Sequence, residues 1–300
     1  MVERTPERSR EQKITEYLLM CRDDYVKDMA DYLGIYEKAA QEGWGIYDSG
    51  LSTKHLGNLD SGYFAPTRAW SYLGLDGFTS EKLVQYIVDY LTIPENRDKE
   101  ILILDALGQG RPGTDLRKLV LKQLPSARIT ILASTLTPRR NTTEEVLEFN
   151  GDALSDTDSI PLFREIEKRK DTGAAFLVTF FRPGGGVSKF GENAYVQYAL
   201  YKQLRRLFSA TSPGGLLFLQ SPSDNEELGF LYELLERYGA EKLLVRGQGS
   251  VGLLKKDASL CPDATLPLEH GEFSLPPAEE LMSNHVDLLK EHWKIPSRLV

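Results

Sequence analysis

The hexapeptide Gly108-Gln109-Gly110-Arg111-Pro112-Gly113 has GxGxxG spacing. It stands between an apolar run, ILILDAL (101–107), and a helical pattern, DLRKLVLKQL. Glycines at such a place allow positive backbone dihedrals and let a ligand approach the main chain without meeting a side chain. A helix beginning near Gly113 points free amide groups at the same spot, which suits the polar groups of a nucleotide. The chemistry indicated is cofactor holding, and the spacing by itself serves more than one cofactor. A tight turn that only packs helix on sheet is the purely structural alternative.

The elements that must position this turn follow from hydrophobic periodicity. Short apolar runs bounded by turn residues read as buried strands. They are ILILDAL (101–107), ARITILAS (127–134), a third within EEVLEFNGDAL (144–154), AAFLVTFF (174–181), GGLLFLQSP (214–222), and the last two in AEKLLVRG and SVGLLKK. Helical patterns follow the first, third, fourth and fifth of these: DLRKLVLKQL, IPLFREIEKRK, ENAYVQYALYKQLRRLFS and NEELGFLYELLERYG. Such alternation predicts right-handed crossovers and a mainly parallel sheet covered on both faces. The gap between the last two strands is too short for a helical crossover, so they are expected to pair antiparallel. The fold class is therefore α/β, a doubly wound seven-stranded sheet with an antiparallel last strand and an N-terminal helical cap.

Three segments are expected: a helical and aromatic-rich cap at 1–94, a Rossmann-like cofactor domain at 95–256, and a tail with a helix at 257–300. In the cap, apolar residues from Ile14 to Tyr36 recur three or four apart, and Leu83, Val84, Ile87, Val88 and Leu91 form one helix face. Between these, residues 44–78 mix aromatics with glycines and read as a cover over the site or a surface for a homodimer. The basic clusters KQLRR and EKRK read as solvated helix faces.

With 300 residues, 41% apolar and 27% charged, the composition is that of a soluble globular protein. The net charge of −8 argues against a broad basic face for nucleic acid. Neither a signal-peptide core nor an apolar run of about 18 residues is present, so an intracellular, cytoplasmic protein without a membrane anchor is expected. Two cysteines and four histidines, none in HExxH spacing, point to no dedicated metal centre.

Asp105 followed by Gly108 and Gly110, Asp152-Ala153 in NGDAL after the third strand, and SPGG (212–215) before the fifth strand come in the order found in one family. The sequence resembles the class I methyltransferases that use S-adenosylmethionine, over roughly residues 98–256. The resemblance implies that Asp105, Gly108, Gly110 and Gly113 form the cofactor turn, and that Asp152 and Ala153 meet the adenine. It also implies that the segment after the fourth strand, TFFRPGGGVSKFGENAY, faces the methyl group, with Phe180, Phe181, Arg182 and the glycines 184–186 as the candidates nearest to it. The family usually has an acid at the end of the second strand to accept from the ribose hydroxyls. Here the place reads ILASTLTPRR, so Ser134 supplies at most part of that contact.

On the acceptor side Arg182 suits an anionic or carbonyl-bearing group, or else pairs with an acid such as Asp152 or Glu192. Glu192, Tyr195 and His55 are candidate bases or hydrogen-bond partners. Phe181-Arg182-Pro183-Gly184 does not match the motif of amino-methyltransferases, and the lysine and aspartate set of ribose methyltransferases is absent. A small-molecule acceptor is the expectation. Two alternatives stay open: an NADP-dependent oxidoreductase using Ser134, Thr135, Arg139 and Arg140 around a 2′-phosphate, and a non-catalytic binding subunit.

Overall fold

The computed structural model describes residues 9–41, 80–106, 110–135, 146–181, 193–220, 240–245 and 251–256, with Pro296 and Arg298. In chain order the elements are α1 (Arg10–Gln41), α2 (Ser80–Thr92), β1 (Glu100–Ala106), α3 (Arg111–Gln123), β2 (Arg128–Thr135) and β3 (Val146–Asn150). There follow α4 (Asp156–Asp171), β4 (Ala175–Phe181), α5 (Ala194–Ala210), β5 (Leu216–Gln220), β6 (Ala240–Val245) and β7 (Val251–Lys256). The aromatic stretch 44–78, the expected helix in NEELGFLYELLERYG and the tail helix lie outside the described residues.

The strands form one seven-stranded sheet in the order β3-β2-β1-β4-β5-β7-β6. Strands β1 to β5 pair parallel, and β7 runs antiparallel to both β5 and β6. The expected seven-stranded sheet with its antiparallel last strand is thus the one that forms. Interior strand β1 is buried along almost its whole length, whereas edge strand β3 is half exposed. That contrast is what two covered faces and an open edge require.

Helices α2 and α3 cover one face, packing Leu83, Ile87, Leu116 and Val120 on Ile101, Ile103 and Ile131. Helices α1, α4 and α5 cover the other, where Ile14, Leu18 and Tyr25 join Leu102, Leu104, Phe163, Phe176 and Leu204. The apolar stripe read along α1 is the buried one, with Ile14, Leu18, Cys21, Tyr25 and Met29 turned inward. What fixes α1 in register is polar. The Asn193 amide donates to the Cys21 carbonyl (2.9 Å), while its side-chain oxygen accepts from the Tyr195 and Val196 N–H groups as the N-cap of α5.

Helix α4 begins one turn earlier than IPLFREIEKRK implies. Pro161 favours a helix start, but Ser155 supplies the N-cap through the Asp158 N–H (3.3 Å), which brings Asp156 into the first turn. This correction matters because of what Asp156 meets. Lys202 and Arg206, from the KQLRR cluster expected to face solvent, are each 8% exposed. Both pair with the Asp156 carboxylate, Lys202 at 2.5 Å. The arrangement sets two buried cations on one buried carboxylate. Burial is the larger effect on Lys202 and brings its ammonium down to about 8, against the pull of Asp156. No helix among the described residues is long and apolar enough to cross a membrane.

Two consequences can be measured. Asp156→Ala removes the carboxylate between two buried cations and should lower the unfolding free energy by about 3–5 kcal/mol in urea; a loss below about 1 kcal/mol would mean the cations relax to water. The folded state holds Lys202 below its usual 10.5, so between pH 8 and pH 10 the unfolded chain binds more protons at this group and stability gains with rising pH. The contribution is fully present above the unfolded value and is lost as pH falls through about 8. The stability difference between wild type and Lys202→Met should therefore grow by on the order of 2 kcal/mol from pH 8 to pH 10. A flat difference contradicts this.

Candidate functional site

Strand order reverses between β1 and β4, and the carboxyl ends of β1, β2, β3 and β4 line up there. Ala106 is in register with Ser134 on one side and Phe181 on the other, and Ser134 with Phe149 beyond. In open α/β sheets this is where ligands bind.

The turn after β1 is held by its own acid. Asp105 is fully buried, on the α2–α3 face with Ile101 and Ile103, and its Oδ2 accepts the Gly110 N–H at 2.8 Å. Gly110 is left-handed (φ 80°) and is the N-cap residue of α3; its carbonyl accepts the Thr114 N–H at 2.9 Å. A Cβ there would lie 3.0 Å from a Val146 methyl, so both conformation and space require glycine. Asp105 thus sets where α3 starts, and the Gly110 amide is committed to it rather than to a ligand. Thr114, in the first turn, has a buried hydroxyl without a hydrogen-bond partner among the described residues.

Gly113 is placed differently from expectation. Its Cα faces the sheet, where a Cβ would stand 3.0 Å from Ile131 and 3.2 Å from Ile103. The missing side chain lets α3 pack closely on β1 and β2, which is the role of a third glycine in such a turn. Gly108, Arg182 and Glu192 lie outside the described residues.

The turn after β3 is built around Asp152. Gly151 takes φ 145°, where a Cβ would come within 2.8 Å of Asp158. Asp158 accepts the Asp152 N–H (2.9 Å), and Asp152 Oδ1 accepts the Leu154 N–H (2.9 Å), a local turn typical of aspartate. The second oxygen, Oδ2, accepts the hydroxyl of Tyr25 from α1 at 2.9 Å. Burial raises the Asp152 carboxyl and the Asp158 charge adds to this, while the Leu154 and Tyr25 hydrogen bonds oppose them.

Below the sheet edge is a small cavity, on the scale of one ordered water, lined by Ala106, Ser134, Ala153, Phe181 and Gln203 among others. Ser134 is buried and lines it. Gln203 contributes a buried Nε2 with no hydrogen-bond partner. Phe181 forms part of the floor and belongs to the core between sheet, α1 and α5.

Of its two expected roles, base or hydrogen-bond partner, Tyr195 takes the second. It is 3% exposed, its ring lies 5.5 Å from that of Tyr25, and its hydroxyl donates to the Leu154 carbonyl at 3.4 Å. Burial first, then the Asp152 and Asp156 charges, push its hydroxyl far above the usual tyrosine value. At neutral pH it is a neutral donor that packs α1 on α5. The SPGG turn lies at the opposite, amino end of β5. There the Ser212 N–H and hydroxyl bond the Phe176 backbone at 2.9 and 3.0 Å, which makes the turn a latch between β4 and β5.

No family model matches the chain, and no curated protein does. Among solved structures it is similar to a Plasmodium falciparum protein described as a ribosomal RNA methyltransferase, at 12% identity over 59% of this chain and 95% of that one, with a TM-score of 0.37. A Listeria monocytogenes protein described as a class I S-adenosylmethionine-dependent methyltransferase aligns at 12% identity over 71% and 70% of the two chains, TM-score 0.34. An O-methyltransferase family protein from Burkholderia thailandensis aligns at 14% over 69% and 68%, also with a TM-score of 0.34. Likeness this partial says nothing of what the chain binds, and the case rests on its own residues.

If Asp105 holds the turn, Asp105→Leu should cost about 1–3 kcal/mol by stranding the Gly110 N–H, whereas Asp105→Asn, which keeps an acceptor, should cost less. Chemical denaturation compares the two; equal losses would mean the carboxylate acts through another partner.

Proposed function

We propose that the protein is a methyltransferase that moves a methyl group from S-adenosylmethionine to a small-molecule acceptor in the cytoplasm. The observation that carries the reading is a single edge. The Asp105-held glycine turn and the Asp152-Ala153 turn stand at the carboxyl ends of β1 and β3, beside the reversal of strand order, in a sheet closed by antiparallel β7.

These residues fit the cofactor in two of three places. The turn at Gly110 and the first turn of α3 would meet its amino-acid end, with the unpartnered Thr114 hydroxyl close by. Asp152 and Ala153 would meet the adenine, with Phe181 as apolar floor. The ribose is the exception, since Ser134 is buried and no carboxylate stands at the end of β2. Loss of that acceptor should weaken binding by about 1–3 kcal/mol.

The bound cofactor supplies a methyl group on a sulfonium centre. The chain's own task is then to align the acceptor and keep water out. Arg182 and Glu192, in the segment between β4 and α5, are proposed to face the acceptor, with Arg182 suited to an anionic group. The net charge of −8 favours a small molecule over nucleic acid. One observation, the buried Ser134 in place of an acid, favours a second reading: a non-catalytic relative that keeps the fold as a binding subunit.

Calorimetric titration with S-adenosylhomocysteine, S-adenosylmethionine and NADPH tests these readings together. Binding of the first two alone is expected, weaker by roughly ten- to a hundredfold than in a homologous site with the ribose acid. NADPH binding alone would establish the oxidoreductase alternative instead, and silence from all three would leave the binding subunit.

A further inference from the structure

From the contact between α1 and the β3 turn we infer that Tyr25 is a positioning residue for base recognition, holding the Asp152 carboxylate so that it reads an amino-bearing purine. The inference rests on the proposed nucleoside site and adds α1 to it.

Tyr25 belongs to an element 127 positions away in sequence from Asp152, yet its hydroxyl donates directly to Oδ2 at 2.9 Å. It is 1% exposed and seated against Tyr195, so its ring has little freedom to turn away. Helix α1 is itself clamped by Asn193 through the Cys21 carbonyl, one turn before Tyr25. Position and register are therefore both fixed.

A carboxylate has two oxygens and about four acceptor sites. Leu154 N–H takes one on Oδ1 and Tyr25 takes one on Oδ2. Both partners are donors, so both favour the ionised form over the neutral form that burial and Asp158 favour. An ionised carboxylate can only accept. It therefore pairs with the exocyclic amino group of adenine and repels the oxo group that hypoxanthine carries at the same position. Without the Tyr25 hydroxyl the carboxyl group rotates more freely and takes up a proton more readily, and discrimination falls.

Titration of the full chain with S-adenosylhomocysteine and S-inosylhomocysteine reads this directly. Wild type should prefer the adenosyl compound by tenfold or more. Tyr25→Phe should weaken adenosyl binding by about tenfold with less than twofold change for the inosyl compound, and should add no further effect in an Asp152→Asn background. An equal loss for both ligands, or an unchanged preference, would overturn the inference and leave Tyr25 a packing residue. Wild type that binds neither ligand brings down the methyltransferase reading along with it, whereas wild type that binds beside an unaltered variant brings down only the role of Tyr25. Should Tyr25→Phe not fold, Asp152→Asn decides: a preference retained there means that the carboxylate held by Tyr25 does not read the base.

Discussion

Asp105 is a fully buried acid in an interior strand of the sheet, and it takes the Gly110 N–H as a partner. A carboxylate in that position must be hydrogen-bonded or it opposes folding. Meeting that demand from a backbone amide five residues ahead ties the end of β1 to the start of α3. Gly110 has the left-handed conformation needed to close the turn, and α3 starts at once. With α3 anchored, Gly113 can press against Ile131 and Ile103, and the second strand is drawn beside the first. The start of α3 at the carboxyl edge follows from this bond.

The opposite face obeys a different constraint. Between the sheet and helices α4 and α5, apolar packing surrounds Asp156, Lys202 and Arg206. Such a cluster contributes less to stability than to uniqueness, because any shift of α5 along α4 separates charges that have no water to turn to. Asn193 extends the same logic to α1 by tying the start of α5 to the Cys21 carbonyl. The two polar devices set α1 over the β3 turn, where hydrophobic contacts alone would tolerate sliding.

Most of the framework was legible in the sequence because it depends on periodicity. Continuous apolar runs marked the buried strands, the short gap before SVGLLKK marked the antiparallel β7, and the stripe from Ile14 to Met29 matched the buried face of α1. What was not legible depends on contacts between residues distant in the chain. KQLRR looks solvated because three cations in five residues are usually so, and only the earlier start of α4 at the Ser155 cap brings Asp156 to meet them. Tyr195 looks like a base or a hydrogen-bond partner from its place after the fourth strand, and its surroundings, which hold it neutral, decide for the second. SPGG does introduce the fifth strand as read, but its bond to the Phe176 backbone is a contact that the motif does not announce. Tyr25 carried no signal beyond its place in an apolar stripe, since nothing local to α1 announces Asp152.

The departure at the end of β2 and the contact at the end of β3 bear on each other. In the proposed nucleoside site, lack of the ribose acid removes a charged hydrogen bond of about 1–3 kcal/mol and with it a fixed point for the ligand. On the proposed reading Asp152 is the polar anchor at the base, and a lone carboxylate on a surface turn would hold a ligand loosely. Here Asp152 is restrained by Leu154, by the Asp158-bound backbone and by a tyrosine from a clamped helix. Rigidity in the groups that meet a ligand lowers the ordering cost of binding. If this edge holds a nucleoside as proposed, the N-terminal helix offsets, at the base, part of what β2 does not supply at the sugar.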